Sequence, residues 1–223
     1  KFFIKKPAYL EPAYLYYFSL LKLNRSKLKL LEIGSGRGES TIPLIKMNFK
    51  VTATDISSKS IKFMKKKFLK FKNFSSRIAD MEKLPFKNKS FDIICSADSL
   101  SYGDNIKVKN EMYRVLKKDG VLVIVDSLND NPVYRFNRFI NYILGKRSRS
   151  TLRRIPSIHL IDEYIEKFGY GNVKFFGSII WIAPLLRIIL SEKLIAKFFN
   201  WVDRVYKIRK SAFKFVLILV KKK

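Results

Sequence analysis

Leu30-Leu31-Glu32-Ile33-Gly34-Ser35-Gly36-Arg37-Gly38-Glu39-Ser40-Thr41 decides the fold. An apolar run fit for a buried strand passes into Gly-x-Gly-x-Gly and then into a helical pattern. Glycine permits a tight turn and close approach of a ligand to the backbone, and the helix start behind it offers unpaired N–H groups. Alone, such a turn is a weak signal.

The neighbouring segments strengthen it. Short apolar runs alternate with helical periodicity across residues 29–126, the pattern of a parallel α/β sheet. Strands are predicted at Lys29–Ile33, Val51–Thr54, Arg77–Ala79, Phe91–Cys95 and Val121–Val125. Helices are expected through about Met47, after a cap at Ser57 or Ser58, and over Ile106–Leu116, with Gly120 as a left-handed stop. Asp55 ends the second strand, where an acidic side chain can accept both hydroxyls of a ribose. Asp80 follows the third strand in Ile78-Ala79-Asp80-Met81. Then come Ser90-Phe91-Asp92-Ile93-Ile94 and Glu111-Met112-Tyr113-Arg114-Val115-Leu116-Lys117-Lys118-Asp119-Gly120.

In these five ordered segments, over residues 28–127, the chain resembles the class I S-adenosylmethionine-dependent methyltransferases. The resemblance implies a Rossmann-like, doubly wound α/β sheet of seven strands, the last antiparallel. It also implies S-adenosylmethionine bound across the carboxyl ends of the first strands. Glu32, Gly34, Ser35, Gly36 and Gly38 would then surround the methionine moiety of that cofactor. Asp55 would hold the ribose, Ile56 would pack on the adenine, and Asp80 and Met81 would read the adenine edge. Ser96 and Ala97 would line the methyl-donor side. Two look-alikes fit less well. A phosphate-binding loop needs Gly-Lys-Ser/Thr, whereas Gly38-Glu39-Ser40 puts a carboxylate there; a nicotinamide site needs Gly-x-Gly-x-x-Gly, and here the third Gly comes one residue early. Many relatives carry His after the fourth strand. This chain has Leu100-Ser101-Tyr102, so Tyr102 or Asp98 is expected to fill that space.

Outside the core, Ala8–Leu23 reads as an aromatic-rich helix, Asn131–Leu144 as a helix, Lys146–Arg154 as a basic connector and Ile161–Phe168 as a helix stopped by Gly169. Asn172–Phe176 and Ala212–Val220 are the last two strands, with a helical insertion between them. In that insertion, behind a cap at Ser191, a helix over residues 192–207 gathers Leu194, Ile195, Phe198, Phe199, Trp201, Val202, Val205 and Tyr206 on one face. The organisation expected is one domain over 1–223, with a cofactor core at 28–127, acceptor-side elements at 128–211 and a closing strand at 212–220.

Charge and composition bound the acceptor. The 223 residues carry a net +28, half of it before residue 128 and half after, with 48% apolar side chains, which excludes a disordered polycation. One cysteine and one histidine exclude a cysteine-clustered or multi-histidine metal centre, and no metal is expected. Cys95 lies inside a strand and reads as core. Asp98-Ser99-Leu100-Ser101 lacks the Asn/Asp-Pro-Pro-Tyr/Phe sequence of base-amino methylation, and Asn131-Pro132-Val133-Tyr134 follows the wrong strand, so nucleic acid is not the expected partner. Residues 126–154 resemble methyltransferases of bacterial surface-polysaccharide biosynthesis, which implies O-methylation of a free or lipid-linked sugar. An RNA or a lipid/quinone methyltransferase is the alternative, and a non-catalytic cofactor-binding protein a third class. A neutral imidazole is the natural base near pH 7, so His159 is a candidate base, with Asp98 the second candidate. The start Lys1-Phe2-Phe3-Ile4-Lys5-Lys6-Pro7 does not read as a secretory signal. A cytoplasmic protein is expected, with the 192–207 helix offering peripheral contact to the anionic inner membrane face.

Overall fold

The computed structural model describes residues 7–22, 27–206 and 208–222. In chain order the elements are α1 (Glu11–Lys22), β1 (Lys29–Ile33), α2 (Thr41–Lys46), β2 (Lys50–Asp55), α3 (Ser58–Lys67), β3 (Phe74–Ile78) and β4 (Phe91–Ala97). There follow α4 (Asn105–Val115), β5 (Leu116–Ser127), α5 (Pro132–Ile143), α6 (Arg149–Arg153), α7 (Ile158–Phe168) and β6 (Gly169–Phe176). Last come α8 (Ala183–Leu186), α9 (Glu192–Val205) and β7 (Lys214–Lys221).

The seven strands form one sheet in the order β3-β2-β1-β4-β5-β7-β6. β1 to β5 pair in parallel, and β7 enters antiparallel between β5 and β6. This is the expected α/β architecture, including the antiparallel last strand and the helical insertion before it. Its strand order reverses between β1 and β4. In an open sheet of this kind, the crevice outside the carboxyl ends at that switch point is where ligands sit.

Sheet pleat divides the core in two. One face carries Leu31, Ile33, Ile94, Leu122 and Ile124 against Met112, Tyr164 and Phe168 of α4 and α7. The other carries Leu30, Val51, Ala53, Ile93, Cys95 and Val123 against Tyr17, Phe18, Ile61 and Met64 of α1 and α3. Strands buried on both faces read as continuous apolar runs, which is why β1, β4 and β5 were visible in the sequence. Cys95 is fully buried there, as core.

Several boundaries differ from expectation. β3 is Phe74–Ile78 rather than Arg77–Ala79. It is an edge strand whose Ser75, Arg77 and Ile78 face solvent, so it has no apolar run to find. The helix before β5 stops at Val115, and the left-handed residue is Asp119 (φ 56°) rather than Gly120. Gly120 is required for space instead, because a Cβ there would stand 2.8 Å from Leu116 Cδ1. Ser57 does cap α3 by accepting from the Ser60 N–H, and Gly169 (φ 91°) does stop α7. Ser191 makes no side-chain cap bond. Helix α1 begins at Glu11, and the expected last residue of that helix, Leu23, lies outside the described residues, as do Lys1 to Lys6 and Lys207.

Two helices present their faces in ways that periodicity did not give. On α9 the apolar stripe is split: Ile195, Phe199 and Val202 are buried, while Leu194, Phe198, Trp201 and Val205 stay open. Helix α5 is turned further. It buries Tyr134 and Arg138, one turn apart, and exposes Phe136, Phe139, Ile140 and Ile143.

Candidate active site

The turn after β1 is cut to fit something against its backbone. Gly34 (φ 66°) has no room for a side chain, since a Cβ would meet Ser99 Cβ at 2.3 Å. Gly36 (φ 53°) faces open space, with nothing within 4 Å of the same added atom. Both sit in the left-handed region that favours glycine. A cavity of about 240 Å³ opens over this turn, lined by Glu32, Gly34, Ser35, Gly36, Arg37, Glu39 and Ser40, with Tyr14, Ala97 and Asp98 opposite.

Glu32 is buried at the end of β1 and accepts from Thr41 Oγ1 at 2.5 Å. Burial pushes its carboxyl up to about 8, against the Thr41 hydrogen bond that pulls it down. A carboxyl held this way has strong affinity for an incoming cation, whose charge would replace the solvation that burial removed. Glu39 adds a second carboxylate to the same cavity. The two acidic side chains suit a ligand with positive charge, with Arg37 the opposing cation in the lining.

The other residues expected around a cofactor lie at neighbouring strand ends, and Asp55, Ile56, Asp80 and Met81 are not among the residues lining this cavity. Asp55 accepts from the N–H groups of Gly36 and Ser57, each at 2.8 Å, so about half of its four or so lone-pair sites remain for a ligand. Ile56 beside it is exposed. Asp80, just past β3, accepts from the Glu82 N–H at 2.8 Å, and Met81 lies between Gly34 and Gly103. Ser35 Oγ donates to the Thr54 carbonyl, tying the turn to β2. Ser96 is fully buried, its hydroxyl 2.6 Å from Ser99 Oγ, and steadies the end of β4 rather than lining the cavity. Gly38 stands against α3, where a Cβ would come within 2.5 Å of Phe68, and is likewise not among the lining residues.

A second cavity, of about 280 Å³, adjoins the first and shares Tyr14 and Asp98 with it. Its wall adds Ser101, Tyr102, Asp126, Ser127, Arg138, Arg147 and Lys214. Asp98 itself has left-handed backbone (φ 58°), an uncommon conformation outside glycine that clusters at functional sites. It accepts from the Tyr14 hydroxyl and from Lys214 Nζ, the latter at 2.5 Å with the lysine side chain only 4% exposed. Burial, then the Asp98 charge, pushes the Tyr14 hydroxyl up, so it remains a proton donor to that carboxylate. Asp126 at the end of β5 accepts from the N–H groups of Leu100 (2.9 Å) and Ser127 (2.6 Å). Burial and the neighbouring Asp98 charge raise its carboxyl.

Of the three residues expected to do chemistry, Asp98 and Tyr102 are brought together here. His159 is not. It stands exposed on α7, with Nδ1 3.1 Å from Glu163 Oε1, and lines neither cavity. Sequence reading gave no role to Tyr14, Asp126, Arg138 or Lys214. Asp126 sits at a strand's carboxyl end and Lys214 is a lone cation in an apolar run, and both were usable signals. Arg138 gave none. A larger groove of about 810 Å³ between α1, β6 and α9 contains none of the expected residues.

Comparison with known proteins accords with this geometry. The family profile described as "Methyltransferase domain" matches residues 24–150. A demethylmenaquinone methyltransferase of Tropheryma whipplei is 29% identical over 143 residues, 62% of this chain and 59% of that protein. A sterol 4-C-methyltransferase of Caenorhabditis elegans is 30% identical over 113 residues, 48% of this chain and 34% of that protein. The chain thus spans about three fifths of the first relative and a third of the second. Among solved structures, geranyl diphosphate C-methyltransferase from Streptomyces coelicolor A3(2) has a similar fold, with a TM-score of 0.67 at 19% identity, over 96% of this chain and 81% of that one. With a profile match over more than half its length, this chain belongs to the methyltransferase-domain family.

Proposed function

We propose that the chain is an S-adenosylmethionine-dependent methyltransferase that O-methylates a polar group, a sugar hydroxyl, of a lipid-carried acceptor. The observation that carries this reading is the pair of adjoining cavities with Asp98 and Tyr14 as their common wall. The first suits a cationic cofactor: Glu32 and Glu39 face it, the glycine turn leaves room, and Asp55 retains accepting capacity on the ribose side. When bound, the cofactor supplies an electrophilic methyl group on a sulfonium, which an acceptor oxygen displaces in line.

The residues of the chain orient that acceptor and manage its proton. Asp98 stands between the two cavities, its carboxylate fixed by Tyr14 and Lys214, where it can receive the proton of an acceptor hydroxyl. Tyr102 and Ser101 offer hydroxyls along the same wall. A predominantly polar lining favours a sugar-like group over the ring of an isoprenoid quinone. The quinone reading keeps support from the named activity of the Tropheryma whipplei relative. Charge alone favours RNA, and no RNA-binding module accompanies it.

The apolar part of a lipid-carried acceptor needs a surface as well. Trp181, Leu185, Ile188, Ile189, Leu194, Phe198 and Trp201 are open around α8 and α9, beside Lys193, Lys197 and Arg204. Among the described residues no helix is long and apolar enough to cross a membrane. The fitting arrangement is a cytoplasmic protein that lies against an anionic membrane.

Transfer of a labelled methyl group into lipid, polysaccharide and RNA fractions tests the reading. Label is expected in a lipid-extractable sugar, with Asp98→Asn lowering the rate by roughly 10²-fold or more. Label confined to RNA, or an unchanged rate for Asp98→Asn, would overturn it.

A further inference from the structure

Arg138 is an unusual residue to find in the wall of the second cavity. It is 7% exposed, on the inward face of α5, and its guanidinium is satisfied on one edge only. Nη1 donates to the Leu128 carbonyl at 2.7 Å and to Asn129 Oδ1 at 2.8 Å. Nη2 is buried and has no hydrogen-bond partner among the described residues. An orphaned, charged donor in a protein interior is costly, because the group gives up its water without replacing it. The rings of Tyr134 and Phe213 flank the guanidinium, at 5.9 and 5.6 Å from their centroids, and hold its plane in position.

A second guanidinium, that of Arg147, shares the cavity. Burial and the nearby Arg147 charge together bring Arg138 down to about 10. The two cations therefore press on one another, and among the described residues neither forms an ion pair with a carboxylate. The acids in the cavity are otherwise engaged: Asp98 is neutralised by Lys214, and Asp126 is raised and held by two backbone N–H groups. Asp126 also acts on the Arg138 guanidinium and partly offsets its charge. Yet with Arg138, Arg147 and Lys214 against Asp98 and Asp126, the lining of this space of about 280 Å³ keeps an excess of positive charge.

We propose that Arg138 and Arg147 form an anion subsite that holds a phosphate group carried by the methyl acceptor, within the cavity that adjoins Asp98. A phosphate group complements this excess of positive charge, and a planar guanidinium with an unpartnered Nη2 supplies donors suited to phosphate oxygens. Nη2 of Arg138 gains its missing partner on binding. The phosphate also places the acceptor, with its reacting hydroxyl toward Asp98. That the phosphate belongs to the methyl acceptor rests on the methyl-transfer reading; the anion subsite itself does not.

The test is calorimetric titration of the whole chain with inorganic pyrophosphate, with and without saturating S-adenosylhomocysteine. Binding is expected in both conditions, weakened at least tenfold by Arg138→Gln and by Arg147→Ala, with S-adenosylhomocysteine affinity unchanged within about twofold. Arg147 is half-buried, so its variant reports even if Arg138→Gln fails to fold. Absence of pyrophosphate binding, or equal binding by the Arg147→Ala variant, would overturn the subsite. Arginine-dependent pyrophosphate binding without any S-adenosylhomocysteine binding would leave the subsite standing and remove the methyltransferase reading instead. Glycerol 3-phosphate and dihexanoyl phosphatidate, both phosphate monoesters, separate the sources. Equal affinities indicate a soluble phosphorylated acceptor, and a tenfold preference for the phosphatidate indicates a lipid-borne one.

Discussion

The two adjoining cavities share a wall but are assembled in opposite ways. The cavity proposed for the cofactor is built mainly from one short stretch, Glu32 to Ser40, with the end of β4 and Tyr14 of α1 beside it. Its specificity lies largely in backbone: a glycine where no side chain fits, another where a ligand must come close, and one buried carboxyl. The second cavity draws Tyr14, Asp98, Asp126, Arg138, Arg147 and Lys214 from across the sequence, and its specificity lies in long side chains. A local site is demanding about shape and tolerates little. A dispersed site is demanding about charge and can be retuned one residue at a time.

Substitution should expose that contrast, and the largest effect belongs to the local site. In Gly34→Ala the new Cβ would lie 2.3 Å from Ser99 Cβ in left-handed backbone, which combines overpacking with conformational strain, ~2–4 kcal/mol together. S-adenosylhomocysteine affinity is expected to fall beyond about 100-fold, and the melting temperature with it. Wild-type affinity in this variant would show that the turn is not the cradle.

A smaller effect separates the electrostatics of the two cavities. The Glu32 carboxyl lies at about 8 when folded and near 4.5 when unfolded. Between those values the folded chain holds the extra proton, so this group's contribution to stability declines as pH rises, by up to about 1.4 kcal/mol per pH unit. A cationic ligand reverses that balance by favouring the carboxylate. Affinity for S-adenosylmethionine, whose sulfonium carries the charge, should therefore climb from pH 6 to 8, by up to roughly tenfold per unit, then level off. Glu32→Gln should flatten the profile, and an identical slope in that variant would assign the proton elsewhere.

The smallest effect concerns the surface beyond the second cavity. Flotation with phosphatidylglycerol vesicles should recover the protein at low salt and lose it several-fold in Phe198→Ser/Trp201→Ser, or in high salt. Equal recovery of that double variant would argue against membrane contact through α9.

The same contrast explains what could be read from the sequence. The cavity over the β1 turn was legible because its residues are nearly consecutive and their types carry the reason: Gly34 and Gly36 for backbone and Glu32 at a strand end. Gly38 shows the limit, since its motif position suggested ligand contact and its neighbour is Phe68. The parallel strands were legible from apolar runs, whereas the polar edge strand β3 was displaced by about three residues. On the acceptor side, Asp98 and Tyr102 were found because they follow β4. Arg138 was not, because α5 buries its cation and exposes Phe136 and Phe139, opposite to what helical periodicity leads one to expect. His159 drew notice as the single histidine, but rarity of a residue type says nothing about its location.

The placement of β7 has a consequence in time. Lys214 lies 116 residues after the Asp98 it neutralises, and its strand must slide between two partners that were both synthesised earlier. Until that insertion, β5 and β6 have no edge in common, and Asp98 stands near Asp126 without its cation. Such late, non-local pairing is slow compared with the closure of the β1 turn. In a nascent chain the glycine turn after β1 would therefore form well before Lys214 fixes Asp98 in the wall that both cavities share.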